Sequence, residues 1–298
     1  MKILLVHNPT AGSGDHDATS LRRLVQKLGS VTYQSVKSKS WAKVFEKKPA
    51  DLILAAGGDG LVRRVALNAP RGSRISILPL GTANNVANSL GIKGKPKDVI
   101  AGLKDAREQP LDLGWAQGPW GERSFLEGIG LGAVTNVAAR MDTGESQGAE
   151  GQSAIKRARA LLRNALVTGK DHWFDVTVDG QSICDKAALL EVANMRYIGP
   201  RLALAPSADP GDGELDVVWL PEDGRGRLGE WLRDADDDDA EPPVKTCSGA
   251  VIQMHHVCGQ IRIDDQYWPP EPDPHHEDTA ADIEISVNRR ALTVLVPG

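Results

Sequence analysis

Residues 53–65 read ILAAGGDGLVRRV. An apolar run ends there in two glycines, an aspartate and a third glycine, and a stretch with helical spacing follows. The first amides of a helix have no partner within the helix, and glycines allow an anion to come close to the backbone. The GGDG segment at 57–60 is therefore suited to bind a phosphate, although a simple tight turn would use the same residues.

Asp59 is the acidic residue of this segment, and its carboxylate would repel a phosphate. The repulsion is removed when a divalent cation, or a water bound to it, lies between the two groups. The sequence around Asp59 thus indicates either a metal-assisted phosphate site or a plain turn between a strand and a helix.

The first third of the chain alternates short apolar runs with stretches of helical spacing. The apolar runs that predict strands are Ile3–Val6, Val31–Val36, Leu52–Ala56 and Ile75–Leu78. Helical spacing between them predicts helices, the first of which includes residues 21–28 and is ended by Gly29. This βαβα order predicts an open parallel sheet with helices on both faces.

Two further glycine-bearing loops follow predicted strands, HNPTAGSG at 7–14 and PLGTANN at 79–85. The carboxyl ends of parallel strands meet at one edge of the sheet, which is where ligands bind in open α/β folds. We therefore expect the three loops to converge on one ligand. Small hydrogen-bonding side chains lie in the same loops, namely Asn8, Thr10, Thr82, Asn84 and Asn85.

After about Asp112 the pattern changes to short alternating strands that are separated by turns. One polar and basic helix is predicted at Ser153–Val167, and Asp179-Gly180 inside WFDVTVDGQSI predicts a hairpin. The remaining strand candidates are RLALA (201–205), ELDVVWL (214–220), AVIQMHHV (250–257), GQIRI (259–263), DIEISV (282–287) and ALTVLV (291–296). This half of the chain predicts an antiparallel β-sandwich or barrel-like domain.

The composition limits the partners and the location. The net charge of −5 leaves no overall basic field for nucleic acid, which we exclude as a partner. Three widely spaced cysteines, Cys184, Cys247 and Cys258, suit a reducing compartment. No apolar stretch approaches the ~20 residues that span a bilayer. We expect a cytoplasmic protein that touches membranes at most at their surface.

The loop motifs NPTAG, GGDG and PLGTANN, in this order and spacing, resemble the diacylglycerol kinase catalytic-domain family. This family includes sphingosine kinases and bacterial lipid kinases and is related to NAD kinase. LDLG (111–114) and FLEGIGLGA (125–133) resemble the family's crossing into its second domain, and RLALAPSADPGDGELDVVWL (201–220) resembles part of its β domain. The resemblance extends over nearly the whole chain.

The resemblance implies a nucleotide-binding α/β domain and a mainly antiparallel β-sandwich domain for the lipid substrate, with ATP in the cleft between them. We expect the first domain to comprise residues 1–111 with 290–298 and the second to comprise residues 112–289. In the family the last strand commonly returns to the first domain, so LTVLVP at 292–297 is expected there.

The resemblance also implies ATP and Mg²⁺ as cofactors. Asp59 would organise the magnesium ion on the phosphates. Asp209, Asp212 and Glu214, the last through its carbonyl, would match a second magnesium site, although the DPGDGE segment is also explained as a turn before a strand. The residues expected to contact ATP are Asn8, Pro9, Thr10, Ala11, Gly12, Ser38, Gly57, Gly58, Asp59, Gly60, Leu61, Val62, Arg63, Gly81, Thr82, Asn84 and Asn85.

A kinase of this family also needs a base that accepts the proton of the lipid hydroxyl. The family carries Asp-Gly-Glu at this place, where the chain has Asp264, Asp265 and Gln266. Asp264 is the expected catalytic base. If the glutamate position carries the proton instead, Gln266 cannot replace it, because an amide is not a useful base at neutral pH. A second departure is Arg64, where the family usually has a glutamate; its cation either holds phosphate or lies on a solvated helix face.

The sequence thus predicts an ATP- and Mg²⁺-dependent lipid kinase whose acceptor is diacylglycerol-like or a sphingoid base. Two alternatives stay open. The departures at Arg64 and Gln266 suit a catalytically weakened nucleotide-binding protein that acts as a sensor or scaffold, and an acidic chain also suits a kinase of a soluble alcohol. The expected partners are ATP, the lipid alcohol and, peripherally, a membrane; a homodimer is one option for assembly.

Overall fold

The computed structural model describes residues 1–12, 14, 16–142, 151–169, 172–233, 240–256, 259–270 and 281–298. Within these ranges the chain forms two compact units. The first unit comprises Met1–Asp112 and Arg289–Gly298, and the second comprises Leu113–Asn288. The expected boundaries lie one residue from these. Cys258 lies outside the described residues.

The strands and helices are numbered in chain order. The strands are β1 (Lys2–His7), β2 (Ser30–Ser35), β3 (Leu52–Gly57), β4 (Arg74–Pro79), β5 (Arg107–Gly118), β6 (Gly121–Phe125), β7 (Gly128–Gly132), β8 (His172–Val178), β9 (Gln181–Ala187), β10 (Leu189–Ala193), β11 (Leu215–Leu220), β12 (Lys245–Gly249), β13 (Val251–His256), β14 (Ile261–Ile263), β15 (Gln266–Trp268) and β16 (Ala281–Val296). The helices are α1 (Ala18–Val25), α2 (Val44–Lys47), α3 (Asp59–Asn68), α4 (Asn85–Ser89), α5 (Pro96–Gly102), α6 (Ala133–Arg140), α7 (Gln152–Thr168) and α8 (Arg225–Trp231). Short 3₁₀ turns lie at Trp41–Lys43, Leu103–Asp105 and Glu222–Gly224.

The first unit is built on a parallel sheet with the strand order β2, β1, β3, β4 and β16. Its strands β1 and β3 are nearly continuous apolar runs and are buried along almost their whole length, as expected for strands that are covered on both faces. The helices contribute buried apolar residues, such as Leu21 of α1 and Val62 and Val65 of α3. The predicted α/β class is confirmed.

The first helix ends earlier along the chain than the sequence predicts. It begins after Asp17, whose carboxylate accepts a hydrogen bond from the amide of Ser20 at 2.8 Å. It ends at Val25 and not at Gly29, because the amides of Leu28 and Gly29 donate to carbonyls three residues back and form turns.

Two antiparallel sheets make up the second unit. In one of them, the first part of β16 pairs with β13, β13 pairs with β8, and β8 forms a hairpin with β9. The other has the order β12, β11, β10, β7, β14 and β15. Apolar side chains from both sheets pack into one core, with Leu190 and Val192 from one sheet and Val176 and Ile252 from the other. The predicted β-sandwich class is confirmed.

Helices cover the outer face of the six-stranded sheet. Leu189 and Val218 of this sheet pack in one apolar cluster with Val137 of α6 and Leu162 of α7. The helix predicted at Ser153–Val167 is therefore part of a packed layer, and only its other side is exposed. No helix in the described ranges is both long and apolar enough to cross a membrane.

The hairpin predicted at Asp179-Gly180 is present, whereas the prediction of a strand at RLALA is wrong. Asp179 and Gly180 have φ values of 48° and 81°, as a two-residue turn between twisted strands requires. In RLALA, Leu202 makes only a single bridge back to Ile198, because the chain reverses at Arg201, whose φ is 57°.

Two strands predicted near the end of the chain form one. DIEISV and ALTVLV are both part of β16, which continues through the intervening residues. Its residues Thr293 and Val294 run parallel to Arg74 and Ile75 of β4. The last strand therefore returns to the first unit, as the family resemblance implies.

Candidate active site

The three glycine loops of the first unit meet beyond the ends of β1, β3 and β4. Gly12, in the loop after β1, has a φ of 56°, and a Cβ placed on it would lie 2.4 Å from the carbonyl oxygen of Leu80. A Cβ on Gly81, in the loop after β4, would lie 2.4 Å from the Cα of Gly58. Only glycine fits such positions. The glycines of the three motifs therefore allow the loops to touch through their backbones.

Backbone hydrogen bonds join the same loops. The amide of Asn8 donates to the carbonyl of Ala56 at 3.0 Å, and the amide of Leu80 donates to the carbonyl of Gly57 at 3.0 Å. The carboxyl end of β3 is thus bonded to the loops on both of its sides and lies between them.

The first loop contains several hydrogen bonds between its own residues. The side-chain oxygen of Asn8 accepts hydrogen bonds from the amide of Thr10 at 3.2 Å and from its hydroxyl at 2.9 Å. The amide of Ala11 donates to the carbonyl of Asn8 at 3.2 Å. Asn8 therefore shapes this loop, and among the described residues none accepts a hydrogen bond from the amide of Gly12.

The third loop is closed by Asn84, a non-glycine residue with a φ of 52°. Its side-chain oxygen accepts a hydrogen bond from the amide of Gly81 at 2.9 Å, and its side-chain nitrogen donates to the Gly81 carbonyl at 2.9 Å. The backbone of Gly81 is therefore bound by Asn84, whereas the side chain of Thr82 is exposed.

Asp59 connects the second loop with the helix that follows the third. Its Oδ1 accepts a hydrogen bond from the amide of Val86 in α4 at 3.0 Å. Burial raises the pKa of Asp59, and hydrogen bonds from backbone amides, including those of Val86 and Asn85, oppose this shift. The carboxylate is thus held by backbone groups and is placed where α3 begins.

The residues expected to contact ATP differ in exposure. The exposed ones are Thr10, Gly12, Ser38, Gly60 and Thr82; the half-buried ones are Asn8, Pro9, Gly58, Asp59, Arg63, Gly81 and Asn84; and the buried ones are Ala11, Gly57, Leu61, Val62 and Asn85. Leu61 and Val62 pack in the core and their amides donate to the carbonyl of Gly58. Ser38 follows the edge strand β2, whereas the three loops follow β1, β3 and β4. The ATP contacts of these residues stay predictions.

Arg64 has a role that neither sequence-based explanation anticipated. Its guanidinium carbon lies 4.8 Å from the centre of the Trp41 ring. A cation over an indole face is attracted by the ring quadrupole. The cation that replaces the family's glutamate is therefore stacked on an aromatic ring beside the 3₁₀ turn.

In the second unit, the carboxylate of Asp264 holds a backbone segment. Asp264 is 5% exposed and has a φ of 52°. Its Oδ2 accepts from the amide of Leu126 at 2.9 Å, and its Oδ1 accepts from the amides of Glu127 at 2.8 Å and Gly128 at 3.1 Å. The FLEG segment of the sequence is thus bound by Asp264, whose role as a base stays a prediction.

Asn194 holds the same segment from the carbonyl side. Its side-chain nitrogen donates to the carbonyl of Leu126 at 2.9 Å, and its backbone amide donates to the carbonyl of Glu127 at 2.9 Å. Sequence reasoning did not find this residue, because a single asparagine after a strand carries no distinctive signal.

Gln266, which replaces the family's glutamate, is exposed on β15. Its side-chain oxygen accepts a hydrogen bond from Nη1 of Arg123 at 3.0 Å. The neighbouring Asp265 is exposed as well. Of the three residues at this place, only Asp264 is buried.

A buried ion pair lies next to Asp264. Nη2 of Arg262 lies 2.7 Å from Oε2 of Glu191, and Nη1 of Arg262 donates to the carbonyl of Asp264 at 2.9 Å. Burial raises the pKa of Glu191 to about 7, and the charge of Arg262 opposes the shift. A Cβ on Gly130 would lie 2.3 Å from Oε2 of Glu191, so this glycine makes room for the pair. This pair was not predicted from the sequence. The sign that could have indicated it is a charged residue inside each of two apolar runs, LLEVA and IRI.

The acidic residues expected to bind a second magnesium ion all accept hydrogen bonds from protein groups, and two of these bonds lie within their own turn. Oδ1 of Asp209 accepts from the amide of Gly211 at 3.1 Å, and Oδ1 of Asp212 accepts from the amide of Glu214 at 2.9 Å. Oε2 of Glu214 accepts from the hydroxyl of Ser248 at 2.6 Å. In the part of the chain that the structure describes, no three His, Cys, Asp or Glu side chains are gathered as a metal site.

Asp216 is a fourth acidic residue near this turn. It is buried on β11, and burial, followed by the charges of Asp212 and Glu214, raises its pKa to about 6. Sequence reasoning did not single it out, because it stands within the strand pattern of LDVVWL. The second magnesium site stays a prediction.

Comparison with known families matches two successive stretches of the chain. Residues 2–116 match the model of the diacylglycerol kinase catalytic domain, and residues 135–263 match the model of the YegS C-terminal NAD kinase beta sandwich-like domain. Residues 2–116 therefore belong to the diacylglycerol kinase catalytic-domain family. The three glycine loops lie within the first matched stretch, and Asp264 directly follows the second.

Relatives in this family carry kinase names. A "Probable lipid kinase YegS-like" of Pseudomonas aeruginosa (strain UCBPP-PA14) is 32% identical over 195 residues, which are 60% of this chain and 58% of that protein. The "Diacylglycerol kinase" of Bacillus subtilis (strain 168) is 25% identical over 77% of this chain and 76% of its own length. The match to the first of these relatives thus covers less than two thirds of that protein's length.

Solved structures share the fold of this chain. A diacylglycerol kinase from Bacillus anthracis str. Sterne superposes with a TM-score of 0.69 at 19% identity, over 99% of this chain and 96% of that chain. An NAD kinase from Archaeoglobus fulgidus, in complex with ATP, superposes with a TM-score of 0.51 at 13% identity, over 100% of this chain and 94% of that chain. At these identities the likeness concerns the fold.

Proposed function

We propose that the protein is a kinase that transfers a phosphoryl group from ATP, with Mg²⁺, to the hydroxyl of a lipid that is diacylglycerol-like or a sphingoid base. The observation that carries the proposal is the backbone contact of Gly12 with Leu80 and of Gly58 with Gly81. These two contacts bring three glycine-bearing loops to one edge of the sheet. Helix α3 begins at the same edge, and no described side chain caps its N-terminus. Uncapped amides and the helix dipole favour a polyphosphate there.

Asp59 supports the proposal of Mg²⁺. This ion binds through one or two carboxylates together with water and substrate phosphates, and it needs no cage of protein ligands. Backbone amides, including those of Val86 and Asn85, hold the Asp59 carboxylate where α3 begins. The residue therefore fits a magnesium ion that arrives with ATP. When bound, the ion would neutralise phosphate charge and favour the ionised carboxylate that burial disfavours.

Asp264 is the proposed base for the lipid hydroxyl. Three amides bind its two oxygens and hold the carboxylate in place. In the proposed role, a carboxylate oxygen would accept the proton of the acceptor hydroxyl. Phosphoryl transfer otherwise depends on positioning and charge, which the glycine loops and Asp59 would supply.

A second candidate function is a nucleotide-binding sensor or scaffold with little transfer activity. The same region favours it, because Asp264 binds a backbone segment with both of its oxygens. Gln266 replaces the family's glutamate and is bonded to Arg123. In this function the glycine loops would bind ATP as proposed above, and the second unit would not deprotonate an alcohol.

The two functions are separated by measuring ATP consumption and ATP binding with diacylglycerol, sphingosine and water-soluble alcohols in detergent micelles. The variants are Asp59→Asn and Asp264→Asn, and the matched control is Asp98→Asn, at an exposed position of α5. Turnover of a lipid that both variants lose and the control keeps supports the kinase. ATP binding without turnover of any alcohol supports the sensor or scaffold. Turnover of water-soluble alcohols alone contradicts the lipid acceptor.

A further inference from the structure

Three side chains form a hydrogen-bonded row that ends on the backbone of the first glycine loop. The hydroxyl of Tyr33 lies 3.0 Å from Nδ1 of His7, and Nε2 of His7 lies 2.9 Å from Nδ1 of His16. Nε2 of His16 lies 2.9 Å from the carbonyl oxygen of Ala11. The row connects strands β1 and β2 to the loop at residues 8–12.

His7 is the buried member of this row. Its side chain is completely buried at the end of β1. Burial, followed by the charge of His16, lowers the pKa of His7 to about 4, and Asp17 opposes the shift. His7 is therefore neutral at neutral pH and does not act as a cation for phosphate. A neutral imidazole has one donor and one acceptor nitrogen, which is what a link between two side chains requires.

The last bond of the row has only one direction. A carbonyl oxygen accepts hydrogen bonds and cannot donate, so Nε2 of His16 carries the hydrogen in both protonation states of that imidazole. The amide of Gly14 donates to the same oxygen of Ala11 at 3.1 Å. Two donors, the imidazole of His16 and the amide of Gly14, therefore fix the direction of the Ala11 carbonyl.

The carbonyl of Ala11 belongs to the same peptide unit as the amide of Gly12. This unit is planar and trans, so its C=O and N–H bonds point in opposite directions. A carbonyl held towards His16 turns the Gly12 amide away from the imidazole, and no described residue accepts a hydrogen bond from that amide. Gly12 also has a positive φ of 56° and touches Leu80, so the peptide unit is held at both ends.

We propose that His16 is a positioning residue for nucleotide binding, which aims the Gly12 amide at a phosphate oxygen of ATP. His7 and Tyr33 hold the imidazole of His16 in place. The proposal rests on the function proposed above and adds to it the residue that orients one phosphate donor. Because both nitrogens of His16 contact protein groups, we expect an effect on ATP affinity and not on the transfer step.

The test compares Mg-ATP binding and kinetics in wild type, His16→Leu and His16→Gln. Leucine removes both hydrogen bonds, so the Kd and the KM for ATP are expected to rise about tenfold, the equivalent of one hydrogen bond, while kcat at saturating ATP stays within about twofold. Glutamine offers a donor and an acceptor and is expected to restore affinity to within about threefold of wild type. His255→Leu, the same change at an exposed histidine of the second unit, is the control with unchanged Kd.

A second measurement needs no ATP. In nitrogen-15 spectra of the ligand-free protein, the Gly12 amide signal is expected to shift or broaden in His16→Leu and to resemble wild type in His16→Gln. An unchanged Gly12 signal in His16→Leu overturns the proposal, as does ATP affinity that is equal in all variants or that glutamine fails to restore. In those cases the proposed kinase still stands. If wild type does not bind ATP, the proposed function falls, and this inference falls with it.

Discussion

The carboxylate of Asp59 accepts a hydrogen bond from the amide of Val86 at 3.0 Å. A side chain at the start of α3 is thereby bound to the first turn of α4, and the loops before these two helices are held together. Burial raises the pKa of Asp59, and the hydrogen bonds from the amides of Val86 and Asn85 oppose this shift. The residue proposed for magnesium therefore also holds the site together, and substitution can separate the two roles.

Asp59→Asn keeps an oxygen for the amide of Val86 and removes the charge. We expect the free energy of unfolding of the ligand-free protein to stay within about 1 kcal/mol of wild type. The rise in Tm that Mg-ATP produces should disappear, and turnover should fall at least about 100-fold. Thermal unfolding with and without Mg-ATP checks both effects. Full stabilisation of the asparagine variant by Mg-ATP would contradict the proposed role.

Gly81→Ala tests the backbone contact between the second and third loops. The new Cβ would lie 2.4 Å from the Cα of Gly58 and 2.9 Å from Oδ1 of Asn84, so the loops must separate. We expect a loss of about 1–3 kcal/mol in the free energy of unfolding and a loss of ATP binding. Urea unfolding and ATP titration check this. Gly226→Ala is the control, since nothing lies within 4 Å of that position in α8.

His7 makes the stability depend on pH in a direction that follows from its pKa. Because the folded state lowers this pKa from 6.5 to about 4, the unfolded chain binds a proton below pH 6.5 that the folded chain does not. The part of the free energy of unfolding that depends on a neutral His7 is fully present above pH 6.5. It is lost as the pH falls towards 4, by up to about 3 kcal/mol. Urea unfolding of His7→Gln should show a shallower pH dependence over this interval. Parallel curves for variant and wild type would disprove this assignment.

The features that could be predicted from the sequence are those carried by neighbours along the chain. Apolar runs predicted the strands, glycine-bearing segments after three of them predicted the three loops, and Asp179-Gly180 predicted its hairpin. The contact between Gly12 and Leu80 could not be predicted by the same means, because it depends on which strands are adjacent in the sheet. The strand predicted at RLALA was wrong because the alternation of its apolar residues does not indicate that the chain reverses at Arg201.

The polar partners were the least predictable part of the candidate site. His7 ends the run ILLVH and Glu191 interrupts LLEVA, and a polar residue in an apolar run is a sign that a partner is needed, which was not used. The identity of the partner is a tertiary property, since Glu191 meets Arg262 from a distant strand. The three amides bound by Asp264 are likewise invisible in a sequence, because every residue except proline has an amide.

The buried pair of Arg262 and Glu191 leads to a prediction about stability. Arg262→Met leaves the Glu191 carboxylate buried without its cation and should cost about 3–5 kcal/mol, whereas Arg262→Met combined with Glu191→Met should recover most of the loss. Burial already raises the pKa of Glu191 to about 7, so the cost of the single change should be smaller at about pH 5 than at about pH 8. Urea unfolding at both pH values checks this. An equal cost at the two values would contradict a charged Glu191 as the cause.

Gln266→Glu decides between the two candidate functions by restoring the family's glutamate. The side chain is exposed and accepts a hydrogen bond from Arg123 at 3.0 Å. A glutamate there would keep this partner as a surface ion pair, so the free energy of unfolding should change by less than about 1 kcal/mol. Any change in turnover then reports on chemistry and not on folding.

If Asp264 is the base, the added glutamate has no proton to accept, and we expect kcat for the lipid to stay within about threefold of wild type. If the protein is a weakened member of the family because it lacks that glutamate, kcat should rise by tenfold or more, as a positioned general base contributes on the order of 100-fold or more. The measurement is lipid-dependent ATP consumption by wild type, Gln266→Glu and Gln266→Ala. Alanine controls for the loss of the hydrogen bond to Arg123. A rise with glutamate but not with alanine would move the base from Asp264 to position 266.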